Sequence, residues 1–252
     1  GDHSRDARFA DAQTAAGYDW LSRIDVYAKE PTQAVIALGD SISNGYHSTP
    51  GYSYPEQLAE RLRTARCARP VLNAGIDGNQ AAAGLGNFGQ GDSMRVRWQN
   101  DVLDVPGARY VIVLGGINDI GEPTMAAANA HRPSPDAKAM ATPVIDALQA
   151  MIETTKASGL RVYGATVLPF AGTQGAYTEQ GEAARQMIND WIRRRAPYDS
   201  VIDFDAVMRD AQTPSRMQAR YDSGDHIHPN DLGYRAMAEA VPLSLFGCRS
   251  AN

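Results

Sequence analysis

Short β-like runs that alternate with runs of helical period predict an α/β fold, three layers deep (α/β/α), around a central, mostly parallel five-stranded sheet. Three observations carry this expectation. Apolar or β-branched runs recur at residues 34–38, 71–74, 110–114, 161–167 and 200–203. Between them lie stripes spaced three and four apart, Val144, Ile145, Leu148, Met151 and Ile152 in one and Ala184, Met187, Ile188, Trp191 and Ile192 in another. Finally, 252 residues of which 43% are hydrophobic can fill one such domain with a sizeable core.

Taken in order, residues 1–33 read as a lead-in segment or the tail of a preceding region, in which residues 21–27 alternate like an edge strand. Residues 34–252 form the domain proper. The first strand runs into Gly39-Asp40-Ser41, and a helical turn over Ile42-Ser43-Asn44 would aim backbone amides at negative charge on the serine. The second strand leads into Asn73-Ala74-Gly75-Ile76-Asp77-Gly78-Asn79, and the third into Gly115-Gly116-Ile117-Asn118-Asp119. A second Gly-Asp-Ser, at 91–93, has no apolar strand before it, so Ser93 reads as a helix N-cap. Residues 120–142, rich in alanine and proline, read equally as a lid or binding loop and as a surface insertion with a short helix around 125–130. A loop at 169–177 should reach the same sheet edge as the glycine turns, and the last helix should begin near Asn230, just after Pro229. No internal repeat is present, and no low-complexity tract beyond short alanine runs.

The chemistry lies in what these turns share. A serine hydroxyl is a poor nucleophile at neutral pH, and an imidazole must take its proton while a third group holds the ring in the right tautomer. Asp225 and His228 suit both tasks, because a three-residue spacing puts them on one side of a single turn. A backbone N–H from the first glycine turn and the side-chain amide of Asn118 are the donors a tetrahedral oxyanion needs. In an open α/β sheet all of these segments fall at the carboxyl edge, where sites form. Asp40 and Asp119 adjoin the site residues, and each reads as a brace for its turn rather than a proton carrier. His226 competes with His228 as base. The pair could also ligate a metal with Asp225, but His3, His47 and His131 add no ligand-like spacing, so neither metal nor organic cofactor is expected.

Read together, these blocks resemble the GDSL, or SGNH, hydrolase family of esterases, lipases and acetylesterases. The resemblance spans residues 34–240, and the phrases at 113–120 and 221–231 look especially like a bacterial, xylan-esterase-like subgroup. It implies an SGNH-hydrolase, flavodoxin-like arrangement with Ser41 as nucleophile, His228 as general base and acid, and Asp225 orienting the histidine. It also implies an oxyanion hole made by the Ser41 amide, Gly78 and Asn118. Gly78 is preferred over Gly75 because the family's donor follows the small and polar residues of that turn, while Gly75 is expected to permit the tight turn itself. The expected activity is hydrolysis of short-acyl esters, acetyl foremost, on a carbohydrate or similar polar alcohol, with Tyr52, Trp98, Phe170 and Tyr177 as candidate contacts to substrate. The alternatives are an acyltransferase with the same triad, a lipase or thioesterase of longer acyl preference, and a non-catalytic carbohydrate-binding module.

Charge and composition bound the partners. A net charge of -5 and an isoelectric point near 5.5 argue against nucleic acid. The one basic run, Arg193-Arg194-Arg195, reads as a solvated helix end. No stretch approaches the roughly 20 apolar residues of a membrane span. The partners that remain are small-molecule or polysaccharide esters. Gly1-Asp2-His3 reads as the start of a processed or trimmed chain, and a secreted or cell-envelope location is expected. Cys67 and Cys248 are the two cysteines. In an exported protein they can pair, which is the expectation, and a bridge closing so long a loop is worth about 4–5 kcal/mol in the chain-entropy model. Two free thiols are the alternative.

Overall fold

In a computed structural model of the full chain, residues 27, 32–82 and 91–248 are described. Pro31–Asn252 forms one compact unit, divided from Gly1–Glu30. The strand expected at residues 21–27 lies, but for Tyr27, outside the described residues.

Five strands form one sheet: β1 (Ala34–Gly39), β2 (Val71–Gly75), β3 (Ala108–Leu114), β4 (Arg161–Ala165) and β5 (Ser200–Ile202). Every pairing is parallel and the order is β2-β1-β3-β4-β5. This is the flavodoxin-like doubly wound order, in which the chain reverses its direction of travel across the sheet between β1 and β3. All six residues of β1 are buried, as an interior strand of a sheet covered on both faces must be. The expected strands all form, with β4 stopping at Ala165 rather than running to residue 167.

The helices are α1 (Ser41–Asn44), α2 (Tyr54–Thr64), α3 (Met94–Trp98), α4 (Ile117–Asn129), α5 (Ala137–Ala157), α6 (Glu179–Arg194), α7 (Phe204–Met208) and α8 (Asp231–Ala240). They lie on both sides of the sheet. α5 packs on α6 with α4 beside both, while α2 and α7 pack on α8. The two stripes read from sequence bury Val144, Leu148, Met151 and Ile152 on α5, and Ala184, Ile188, Trp191 and Ile192 on α6. Local caps agree with the sequence. Ser53 and Glu56 form a reciprocal capping box on α2. Ser93 caps α3, and Asn230 caps α8 by accepting from the N–H groups of Leu232 and Gly233. No helix among the described residues is long and apolar enough to cross a membrane.

Two expectations change. Residues 120–142 are not an open loop, because α4 starts at Ile117 and continues to Asn129, with α5 beginning at Ala137. Gly121 and Pro123, both poor helix formers, hide α4 in the sequence. Nor is the 193–195 run simply solvated. Arg193 turns in to Asp203 and Asp205, and the fully buried Arg185 joins it on Asp205.

Cys67, just past α2, is joined by a disulfide to Cys248 near the chain end. Replacing both cysteines by serine is expected to lower stability by up to about 5 kcal/mol through release of the long closed loop. Urea unfolding of the double variant and of the reduced wild type measures this. Unchanged midpoints would show that the bridge constrains nothing.

Candidate active site

The first wall of the site is set by the turn after β1. Asp40 is the N-cap of α1, its Oδ1 accepting the Ile42 N–H at 2.9 Å, and Ser41 is the first helical residue. A Cβ on Gly75, at the end of β2, would lie 2.2 Å from the Asn44 nitrogen, so only glycine lets β2 end against the serine helix. The two segments are tied again where Asn44 Nδ2 donates to Asp77 Oδ1 at 2.8 Å.

The tight turn is made by the other glycine. Asn79 N donates to Ile76 O at 3.0 Å, and Gly78 sits inside that turn with φ of 71°. Gly75 therefore serves close approach and Gly78 the turn, which corrects the expectation that Gly75 permits the tight turn. The Gly75 N–H already goes to Asn73 Oδ1 at 3.0 Å. Across the switch point, Asn118 stands in the first turn of α4 and donates from Nδ2 to Asn79 O at 3.0 Å. An amide NH₂ carries two donors, so one is left for an oxyanion. Asp119 accepts from the N–H groups of Ala81 and Ala82 at 2.8 and 2.9 Å. As expected from sequence, Asp40 and Asp119 both receive backbone donors.

The third wall is a reversal at residues 222–229. It is closed by Ser223 N donating to His228 O at 3.1 Å and strapped by the Asn230 amide on Asp222 O. His228 Nδ1 lies 2.6 Å from Asp225 Oδ2, and His228 Nε2 lies 2.8 Å from Ser41 Oγ. Asp225 Oδ1 accepts from the N–H groups of Ile227 and His228 and from Ser223 Oγ. Partial burial pushes the Asp225 carboxyl up, but the His228 ring and these two amides outweigh it and bring it down to about 2. Asp225 is therefore ionised at neutral pH. Chemically, an anionic acceptor, an imidazole and a hydroxyl in series is a device for removing the serine proton.

His226 is not part of that series. Its Nδ1 pairs with Asp222 Oδ2 at 2.6 Å, its ring lies against Gly172, and it is 48% exposed where His228 is 14%. The loop after β4 does reach this edge, but Phe170 is fully buried, and Trp98 is 3% exposed. Both belong to the core and present no face to substrate, which corrects their candidacy. Tyr177 stacks edge-on against Phe170 and packs on the core. Tyr52 alone of the four is open, at 50% exposure. It lines a groove of about 620 Å³ between α2 and α8, with Gln57, Asp231 and Leu232.

Three residues absent from the sequence-derived set stand here. His47 Nε2 lies 3.3 Å from Asp225 Oδ2, and the Tyr46 ring packs 4.7 Å from the His228 ring. Arg97, buried in α3, donates to Gly39 O, Ala74 O, Asn79 Oδ1 and Asp101, so one guanidinium holds the ends of β1 and β2 and the Asn79 turn together. None carries a local motif. The arginine at 97 looks like any helical cation until the fold buries it.

A family model, the GDSL-like lipase/acylhydrolase family, matches residues 37–236. The chain belongs to that family. It is a carboxylic ester hydrolase of the GDSL type, on the α/β fold just described. Solved structures agree on the fold. An alpha/beta hydrolase enzyme from the metagenome of Lake Arreo, Spain, shares 21% identity at a TM-score of 0.63, over 87% of this chain and 97% of that one. The lipase/acylhydrolase from Enterococcus faecalis shares 17% at 0.61, over 87% and 100%. A variant of an acetyl xylan esterase from Geobacillus stearothermophilus shares 18% at 0.58, over 87% and 97%. No curated protein matches the sequence.

Asp40 behaves opposite to Asp225. Complete burial pushes its carboxyl up, against the Ile42 N–H and with the Asp119 charge, to about 7. Its Oδ2 has no hydrogen-bond partner among the described residues. Unfolded, the group ionises near 3.8. Between these values the native state holds a proton the unfolded chain has lost, so this group's contribution to stability falls as pH rises. Asp40→Asn keeps the acceptor for Ile42 and removes the titration. Urea unfolding from pH 4 to about 8 should show the variant gaining on wild type across this window. Parallel profiles would place Asp40 in a more polar setting than its burial implies.

Proposed function

We propose that this enzyme removes short acyl groups, acetyl foremost, from a carbohydrate or a similar polar alcohol, through an acyl-enzyme on Ser41. The observation that carries the reading is the unbroken chain from Ser41 Oγ through His228 to Asp225. His228 Nε2 takes the serine proton as Oγ attacks the ester carbonyl, and the anionic Asp225 stabilises the imidazolium that forms. The oxyanion is held by the Ser41 and Gly78 amides and the remaining N–H of Asn118. His228 then protonates the departing alcohol. Water, deprotonated by the same ring, releases the acid and restores Ser41.

Short-acyl preference is supported by what α4 replaces: residues 117–129 form a packed helix rather than an apolar lid. Among the described residues of this unit, the exposed large apolar side chains are Tyr46, Tyr52, Val96, Met187 and Leu232, no two adjacent in sequence. The similarity to an acetyl xylan esterase points the same way. The Cys67–Cys248 bridge favours an oxidising location, secreted or in the cell envelope.

Ser41→Ala should leave the fold intact and lower ester hydrolysis by about 10⁵-fold or more. His228→Ala should follow it closely, whereas His226→Asn should cost less than about tenfold. A series of aryl esters of rising acyl length should give kcat/KM highest at acetyl or propionyl. A maximum at long chains would overturn the acyl assignment in favour of a lipase or thioesterase. Product analysis with a sugar acceptor present would expose an acyltransferase by transfer outrunning release to water.

A further inference from the structure

Three ligand-type side chains converge beside the serine. His47 Nε2 and His228 Nδ1 lie 3.3 and 2.6 Å from the same oxygen, Asp225 Oδ2. Each of the three residues offers a ligand atom within 4.8 Å of the other two. His47 and Asp225 are open enough to solvent for an ion to enter, with side chains 46% and 32% exposed. Two imidazoles and one carboxylate suit zinc, with bonds of about 2.0–2.2 Å and one position left for water. Ligand atoms around a tetrahedral ion of that size stand roughly 3.3 Å apart. The His47–Asp225 pair already has that spacing, whereas the His228–Asp225 contact must widen.

We propose that His47, Asp225 and His228 bind one zinc ion that switches hydrolysis off. The inhibition rests on the role given to His228 above; the binding site does not. A neutral imidazole that coordinates through Nδ1 must carry its single proton on Nε2. On metal binding, that proton leaves Nδ1 and is returned to Nε2 from solvent, with no net proton consumed. Nε2 then presents a donor to Ser41 Oγ where the reaction needs a lone pair, and Asp225 Oδ2 is engaged by the metal. The same reasoning sets selectivity. Magnesium and calcium prefer all-oxygen surroundings, so a two-imidazole site discriminates against them.

The set is distinct from the one the sequence offered. His226 is held by Asp222, and the second imidazole comes from His47 in the loop after α1.

Isothermal calorimetry of the chelator-stripped full chain with zinc tests the site, alongside the same titration of His47→Asn. Asparagine tolerates the left-handed backbone at position 47, where φ is 65°, and circular dichroism confirms the fold of the variant. Wild type should bind one zinc, and the variant should bind at least about tenfold more weakly. In parallel, zinc should abolish hydrolysis of an aryl acetate by wild type, EDTA should restore it, and magnesium or calcium should do nothing. The variant should need at least about tenfold more zinc for the same loss. Equal binding by wild type and folded variant, or none up to about 1 mM, would overturn the site. Site-specific binding without inhibition would overturn the switch. A protein that hydrolyses no ester even without metal would refute the functional reading, while calorimetry still decides the zinc site.

Discussion

A serine hydroxyl does not lose its proton to water at neutral pH, so the chemistry hangs on the 2.8 Å contact between Ser41 Oγ and His228 Nε2, which spans 187 residues of chain. The doubly wound sheet closes that distance. β1 and β3 flank the switch point, so the turns that follow them open onto one crevice. The reversal at 222–229 then delivers Asp225 and His228 to that crevice as a single strapped unit. Its final residue is followed by Asn230, the cap of α8, so the imidazole is anchored to a packed helix rather than to a free loop. Arg97 supplies the matching anchor on the other side, holding the β1 and β2 ends to the Asn79 turn.

Two carboxylates near the same serine show how environment separates roles. Asp225 gathers three donors on one oxygen and an imidazole on the other, and it stays charged to about pH 2. Asp40 is adjacent to Ser41 in sequence, yet it is buried with one paired oxygen and holds its proton to about 7. Adjacency to the nucleophile is thus a poor guide to function, and the number of donors is a good one. A carboxylate that must stabilise a transient imidazolium has to be anionic beforehand, which Asp225 satisfies fully at neutral pH.

Much of this was legible in the residues. Buried parallel strands read as continuous apolar runs, and β1 and β3 are such runs. Ser41, Asn118, Asp225 and His228 each sit directly in a turn with its own local signature, so they could be located without knowing how the turns meet. What escaped were features that exist only after packing. Helix α4 carries Gly121 and Pro123, whose local penalty is outweighed by burial of Ile117, Ile120 and Ala127. Trp98 and Phe170 looked like ligand platforms because an aromatic side chain near a loop has the same sequence signature whether it faces solvent or core. His47 and Arg97 act through partners far away in the chain, and no spacing rule reaches that far. Gly75 reads in the sequence as the turn glycine but serves close approach, because close approach and a left-handed turn both demand glycine and only coordinates separate them.

The most direct test of the account is covalent. A serine-reactive fluorophosphonate, followed by peptide mapping of the folded protein, should modify Ser41 alone and leave Ser93, the serine of the second Gly-Asp-Ser, untouched. Labelling that is absent from the folded wild type, or that falls on another residue and persists in Ser41→Ala, would contradict it.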